Sequence, residues 1–335
     1  GAPNAGVTSL RLLRSEHREF MIAARCRAEE MRSTVDARPH TPTPEPHFDL
    51  VSDDGLDAFA ELHNDVPIIP FGLHFGDETF ASNAMDAATL FRRLRSGGPH
   101  PTTSQPTPET FAERFRSATR PLLVVTLSAA LSGTRNAAEQ AKKLVPDADV
   151  RIHDTRTLSA AQAFQVHAAS LARAAGTTRD AAVDAMRAMH EATELFFTLD
   201  TLEYLRKGGR IGRVQAALGS VMNLRPVVTV DKATAAYEPV GRARTWKRAK
   251  ATLADLVTKR FGEGTPLRLG LVQGEDPGDA HDLLELLRER HPIPWHATTI
   301  VGSALGIHTG PHAVALAACA ATVPWTLDDV AHPSP

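Results

Sequence analysis

The chain has 335 residues, with 37 Lys and Arg against 39 Asp and Glu for a formal net charge of -2, and 42% of its residues are hydrophobic. That length supports one large folded domain or two ordinary ones, and the near-neutral charge argues against a chain built to coat nucleic acid, which rewards a strongly basic surface. No apolar run approaches the roughly 20 residues that span a bilayer, and Cys26 and Cys319 lie too far apart for a CxxC site or a disulfide framework, so a reducing cytoplasm is the expected compartment.

Residues 1–46 stand apart. "SLRLLRSEHREFMIAARCRAEEMRS" has the composition of a mixed-charge helix, but "ARPHTPTPEPH" after it repeats proline too closely for anything but an extended linker. The segment is expected to be a flexible extension outside the main fold, with neither the apolar core of a signal peptide nor the acid-poor composition of a transit peptide.

From Phe48 onward, short apolar runs alternate with longer amphipathic ones, the pattern of βα units. Strands are predicted at "FDLVS", "VPIIPFGLHF", "PLLVVTLS", "DVRIHDT", "PVVTV", "LRLGLVQG" and "WHATTIVG". Helices are predicted at 86–96, 108–118, 134–144, 158–175, 178–192, 246–261, 278–290 and 312–321. Strands apolar at consecutive positions imply burial on both faces and hence a largely parallel sheet in the first half; function in such folds gathers beyond the carboxyl ends of the strands.

Four segments carry unusual chemistry. In "PHPTTSQPTPETF", Thr107 with Glu109 or Thr110 accounts for a helix cap, which leaves the Thr103–Ser104–Gln105 cluster surplus. In "PLLVVTLSAALSGTRNAA" a buried strand runs into Ser128, Ser132, Gly133 and Thr134 at a helix start, a place that favours an anion, though Ser132 or Thr134 can also serve as an ordinary cap. "LDTLEYLRKGGRIGRVQAALGSVMNLRPVVTV" should break a helix at Gly208–Gly209, and it leaves Arg206, Lys207, Arg210 and Arg213 as a basic cluster that is either a solvated face or a docking face for an acidic partner. Finally, "VGSALGIHTGPH" surrounds His308 with small residues, as though something must come close to the imidazole.

Taken in order, "TSQP", Ser128 with "LSGT", "LEYLRKGGRI", "NLRP" and "IHTGP" resemble the DegV family over roughly residues 48–325. The resemblance implies two α/β domains, 47–193 with a mostly parallel sheet flanked by helices and 194–326 with a mixed sheet and helices, followed by a tail at 327–335. It implies one long-chain fatty acid held between the domains and presented to a separate fatty acid kinase, which makes the acyl phosphate; the carrier supplies no phosphoryl-transfer chemistry and needs no cofactor. By motif, Thr103, one of Ser128 and Ser132, and His308 are the groups around the carboxylate. Arg206, Lys207 and Arg210, with Arg244 of "VGRARTWKRAK", are the residues expected to face the kinase. Relatives usually read Gly-Pro-Gly where this chain has Gly310-Pro311-His312, which bears on the turn beside the head group.

The chemistry of such a ligand is consistent with these residues. Burying a chain of about sixteen carbons is worth on the order of 12 kcal/mol gross, so the tail sets affinity, whereas the carboxylate loses water and needs donors worth roughly 1.5–3 kcal/mol each. A serine hydrolase built from Ser128 or Ser132, His308 and Asp154 is the alternative; no G-x-S-x-G elbow supports it. A zinc site at His308 and His312 lacks HExxH or CxxC company. Neither GxxxxGK[ST] nor GxGxxG occurs, and "RTWKRAK" alone does not make a nucleic-acid surface. No stable membrane insertion is expected, and transient membrane contact is compatible with this reading.

Overall fold

The computed structural model describes residues 47–62, 66–212, 214 and 224–331. The head at 1–46, Arg213, Asn223 of "NLRP" and residues 332–335 lie outside the described residues.

The chain runs through β1 (Asp49–Asp53), β2 (Ile68–Ile69), β3 (Gly72–Phe75), β4 (Glu78–Ala81), α1 (Ala87–Arg95), β5 (Thr102–Ser104) and α2 (Pro108–Arg116). It continues through β6 (Leu122–Thr126), α3 (Thr134–Leu144), β7 (Val150–Asp154), α4 (Ser159–Ala174), α5 (Arg179–Ala192), β8 (Thr193–Leu199) and α6 (Glu203–Lys207). After the undescribed stretch come β9 (Arg225–Val230), β10 (Tyr237–Ala243), α7 (Trp246–Phe261), β11 (Leu267–Gln273), α8 (Pro277–Arg288), β12 (Trp295–Ile300), α9 (Ser303–Thr309), β13 (Ala313–Ala320) and α10 (Leu327–Ala331). Several helices start where the sequence provides an acceptor for a free N–H: Asp86, Thr107, Thr178, Thr245 and Asp276 each cap the helix that follows.

Three sheets form among the described residues. The first is wholly parallel, in the order β2-β1-β6-β7; the second has six strands in the order β10-β9-β8-β13-β11-β12, antiparallel except for β11 with β12; the third is the small antiparallel flap β4-β3-β5. This is the expected α/β class, a parallel sheet and a mixed sheet flanked by helices. Helices α2 and α3 cover one face of the parallel sheet around Val51, Phe111, Phe115 and Val124. Helices α7 and α8 cover one face of the mixed sheet around Leu253, Leu269, Leu283 and Leu316. Between the sheets lies α4, buried at every position from Ser159 to Ala172, as a helix packed on all sides must be.

The helix predicted at 312–321 is instead β13. Its alanines have high helix propensity, but the segment is hydrogen-bonded between β8 and β11 in the middle of the mixed sheet, where small residues fit on both faces and tertiary pairing overrides propensity. Ala317 stands opposite both Leu195 and Gly270. The single run predicted at "VPIIPFGLHF" is broken at Pro70–Phe71 into β2 and β3, which belong to different sheets. Beyond residue 326 the expected tail carries α10, and Trp325 before it is buried against Phe164 and Trp295.

Candidate functional site

A cleft of about 920 Å³, part of it open to solvent, lies between the carboxyl ends of the parallel strands and the α4 side of the mixed sheet. Most of its wall is apolar, from Phe71, Leu127, Leu131, Leu158, Leu195, Phe197, Leu199, Tyr237, Val272 and Val301. Thr103, Ser104, Gln105, Ser132, Arg210 and His308 form a polar patch in it.

The patch is assembled from four separate parts of the chain. Strand β5 pairs with β3, and this brings Thr103 to His308 at the end of α9, with Thr103 Oγ1 2.8 Å from His308 Nε2. His308 Nδ1 is buried with no hydrogen-bond partner. Burial, followed by the nearby charge of Arg210 and by His100, pushes the imidazole down to about 3, so it is neutral at physiological pH.

The glycines explain how the parts approach. Gly208, in the turn after α6, lies against the His308 ring so closely that a Cβ there would collide with Nδ1. Its neighbour Gly209, with φ of 72°, is the one that takes the left-handed conformation expected at the helix end. Gly133, before α3, gives the same kind of space to Gln105, which joins the "TSQP" and "LSGT" segments. Of the small residues around His308, Gly306 lies against Leu90 and Gly310 against the ring of Tyr204, while Ala304 and Thr309 line the cleft.

The two serines separate. Ser132 lines the cleft, where its hydroxyl lies 2.7 Å from Thr134 Oγ1 and accepts from Thr134 N; helix α3 has Gly133 at its N-cap and no side-chain cap of the usual form. Ser128 is fully buried and donates to the Ala235 carbonyl at 2.6 Å, fastening the β9–β10 turn to the end of β6. Neither serine hydrogen-bonds an imidazole in these contacts, and Asp154 is held by Ala129 N, Arg156 N and Arg135. The geometry of a Ser-His-Asp relay is therefore not assembled from these residues.

The basic residues divide as well. Arg206 and Lys207 are exposed on α6, where Lys207 pairs with Glu203 at 2.5 Å. Arg210 lines the cleft and donates to the Gly208 carbonyl at 2.6 Å. Arg244 is exposed; its carbonyl accepts from Arg225, which also pairs with Asp200 just before α6. His308 and His312 do not converge, since His308 is buried and His312 exposed, and among the described residues no group of three or more His, Cys, Asp or Glu is placed to hold a metal ion.

Sequence reasoning missed a carboxylate cluster at the end of β1. Asp53 accepts from Leu127 N at 2.9 Å and Gln162 Nε2 at 2.8 Å; Asp54 accepts from Ser82 Oγ; Asp57, on the cleft wall, accepts from Gly302 N at 2.7 Å and Ser159 Oγ at 2.5 Å. Burial outweighs these donors, raising Asp53 to about 7 and Asp54 and Asp57 to about 6. The sequence signal was the doubled aspartate, Asp53–Asp54, at the end of an apolar strand. Arg210 was noticed for charge, but nothing local in the sequence says that it turns inward.

Comparison with known proteins gives this geometry a family. The DegV family model matches residues 53–321. The chain belongs to the DegV family. A DegV domain-containing protein from Deinococcus radiodurans is 46% identical over 282 residues, covering 84% of this chain and 98% of that one. Another from Streptomyces coelicolor is 34% identical, covering 79% and 95%. Among solved structures, a DegV family protein from Thermus thermophilus reported with fatty acid binding superposes with a TM-score of 0.74 at 28% identity, covering 82% of this chain and 99% of that one. The Streptococcus pneumoniae fatty acid kinase B3 protein loaded with linoleic acid shares the fold, with a TM-score of 0.72 at 20% identity over 82% and 99%. Among the described residues no helix is long and apolar enough to cross a membrane.

Proposed function

We propose that this DegV protein binds one long-chain fatty acid in the cleft and presents its carboxyl group to a separate kinase in the cytoplasm. The observation that carries the reading is a mostly apolar wall on which the Thr103 hydroxyl, the His308 imidazole and the Arg210 guanidinium come together. Thr103, Ser132 and His308 are the groups assigned to the carboxylate, with Arg210 supplying positive charge; the buried Ser128, committed to Ala235, is assigned to structure. Because Nε2 of the neutral His308 meets Thr103, a proton on Nε2 leaves the Thr103 hydroxyl free to donate to the ligand. On this reading the lipid lies between a domain of residues 47–193 and one of 194–326.

The fatty acid binding of the Thermus relative supports the ligand, and the name of the Streptococcus fatty acid kinase B3 protein suggests the partner. Arg206, Lys207 and Arg244 are the residues assigned to that partner, since they are exposed where Arg210 is not. The chain contributes binding, orientation and exclusion of water, and the chemical step belongs to the kinase. Organic extraction of the freshly purified protein followed by mass spectrometry tests the reading: a near-stoichiometric fatty acid, released on denaturation, is expected. Absence of lipid, with no uptake from a panel of fatty acids, would refute it.

A further inference from the structure

A second cleft, separate from the acyl site, lies at the outer edge of the parallel sheet. Strand β7 is the last in the order β2-β1-β6-β7, and the space beside its carboxyl end is bordered by the start of α3 and by α4 and α5. About 320 Å³ is left there, partly open to solvent, and it is bordered by four guanidinium groups, Arg135, Arg151, Arg156 and Arg187, and by the carboxylates of Asp154 and Glu191.

Their present partners can be exchanged for a stronger acceptor. Arg151 pairs with Asp180 and Arg187 with Asp184, both carboxylates more than two-thirds exposed, and such surface pairs exchange readily for a better acceptor. Arg156 donates to the Lys232 and Ala233 carbonyls at 2.9 Å, which are neutral, so its charge stays unbalanced by them. Arg135 is 3.5 Å from Asp154, the carboxylate already held by Ala129 N and Arg156 N.

A chain of side-chain contacts also ends in an unused donor. Gln165 Nε2 donates to the Thr155 carbonyl at 2.9 Å, which fixes the orientation of its amide. The same nitrogen is 3.4 Å from His190 Nδ1, which must then accept, while Gln165 Oε1 accepts from His153 Nε2 at 3.3 Å. A neutral imidazole that accepts at Nδ1 carries its proton on Nε2. His190 Nε2 is buried and has no hydrogen-bond partner, although His190 borders this cleft. A buried donor without an acceptor is costly, and a small turn of the ring toward the cleft would let an anion there accept from it.

We propose that this cleft binds a small phosphate-bearing anion, with Arg135, Arg156 and Arg187 as its charged donors and the His190 Nε2–H as its neutral one. Phosphate chemistry fits because guanidinium forks match its oxygens and several cations suit more than one negative charge. The space exceeds one inorganic phosphate, so a pyrophosphate or an organic phosphate is the expected size. The phosphate can come from a soluble ligand or from a lipid headgroup.

Titration of the full chain with pyrophosphate at constant ionic strength, followed through the imidazole C–H proton resonances, tests this. Saturable shifts of His153 and His190 are expected, with His308 unmoved. The double variant Arg135→Gln, Arg187→Gln alters two exposed side chains, so its melting temperature should match the parent while affinity falls at least about tenfold. Flotation with phosphatidylglycerol vesicles gives the second arm: binding that this variant loses, without a pyrophosphate response, assigns the phosphate to a headgroup. No saturable shift together with no variant-sensitive vesicle binding would overturn the proposal, as would responses unchanged in the double variant.

Discussion

His308 meets Thr103 as a neutral imidazole, and this makes their contact insensitive to pH over the range in which histidine usually switches. With its imidazole pushed down to about 3, His308 should show no titration between pH 5 and 8 by NMR. Thr103→Val preserves shape and removes the hydroxyl, so fatty acid affinity should fall by roughly tenfold or more in a fluorescence displacement titration. Ser128→Ala should behave oppositely: loss of its bond to Ala235 costs about 1–3 kcal/mol of stability in chemical denaturation, with the affinity of the folded protein unchanged. Gly208→Ala should impair lipid retention without altering any charge, because the added methyl drives the His308 ring from its place. Thr103 and His308 could be found from motifs whose residues stand in order along the chain. Arg210's inward turn and Gly208's role could not, since both depend on elements distant in sequence meeting at one imidazole.

At the scale of elements, the end of β1 stores unfavourable charge. Asp57 is raised to about 6 from the ordinary carboxylate value of 3.8, so the folded state binds its proton more tightly than the unfolded chain does. Its contribution is fully present below about pH 4 and is lost as pH rises through about 6. Asp57→Asn keeps an acceptor for Gly302 N and a partner for Ser159, and it removes the buried charge. The variant should therefore melt a few degrees higher than the parent at pH 8, with the difference shrinking toward pH 4 in paired thermal scans. Most helices were readable because their caps and apolar spacing agree, as at Thr107–Pro108 and Thr178. Strand β13 was not, because "AVALAACA" has small residues on both faces and only its neighbours β8 and β11 distinguish a central strand from a helix.

At the scale of the molecule, α4 joins the two larger sheets, since its buried faces contact β1 as well as β8, β11 and β13. The fold class was readable from alternating apolar and amphipathic segments, but this shared helix was not, because the same run would also suit one face of a single sheet. Fatty acid in about hundredfold excess over its Kd should stabilise the protein by about 2.7 kcal/mol, seen as a rise of several degrees in a thermal shift assay. Charge reversal at Arg206 and Arg244 should leave that shift and the lipid content intact while slowing turnover by a partner kinase. Leu127, Leu158, Leu195 and Phe197 belong at once to the main core and to the cleft wall. On the proposed function an acyl chain there would complete the interior, and a molecule without one would open more often to the proteases that clear unfolded chains. The amount of this protein that a cell keeps would then be a gauge of its lipid supply, rising and falling with it even at a constant rate of synthesis.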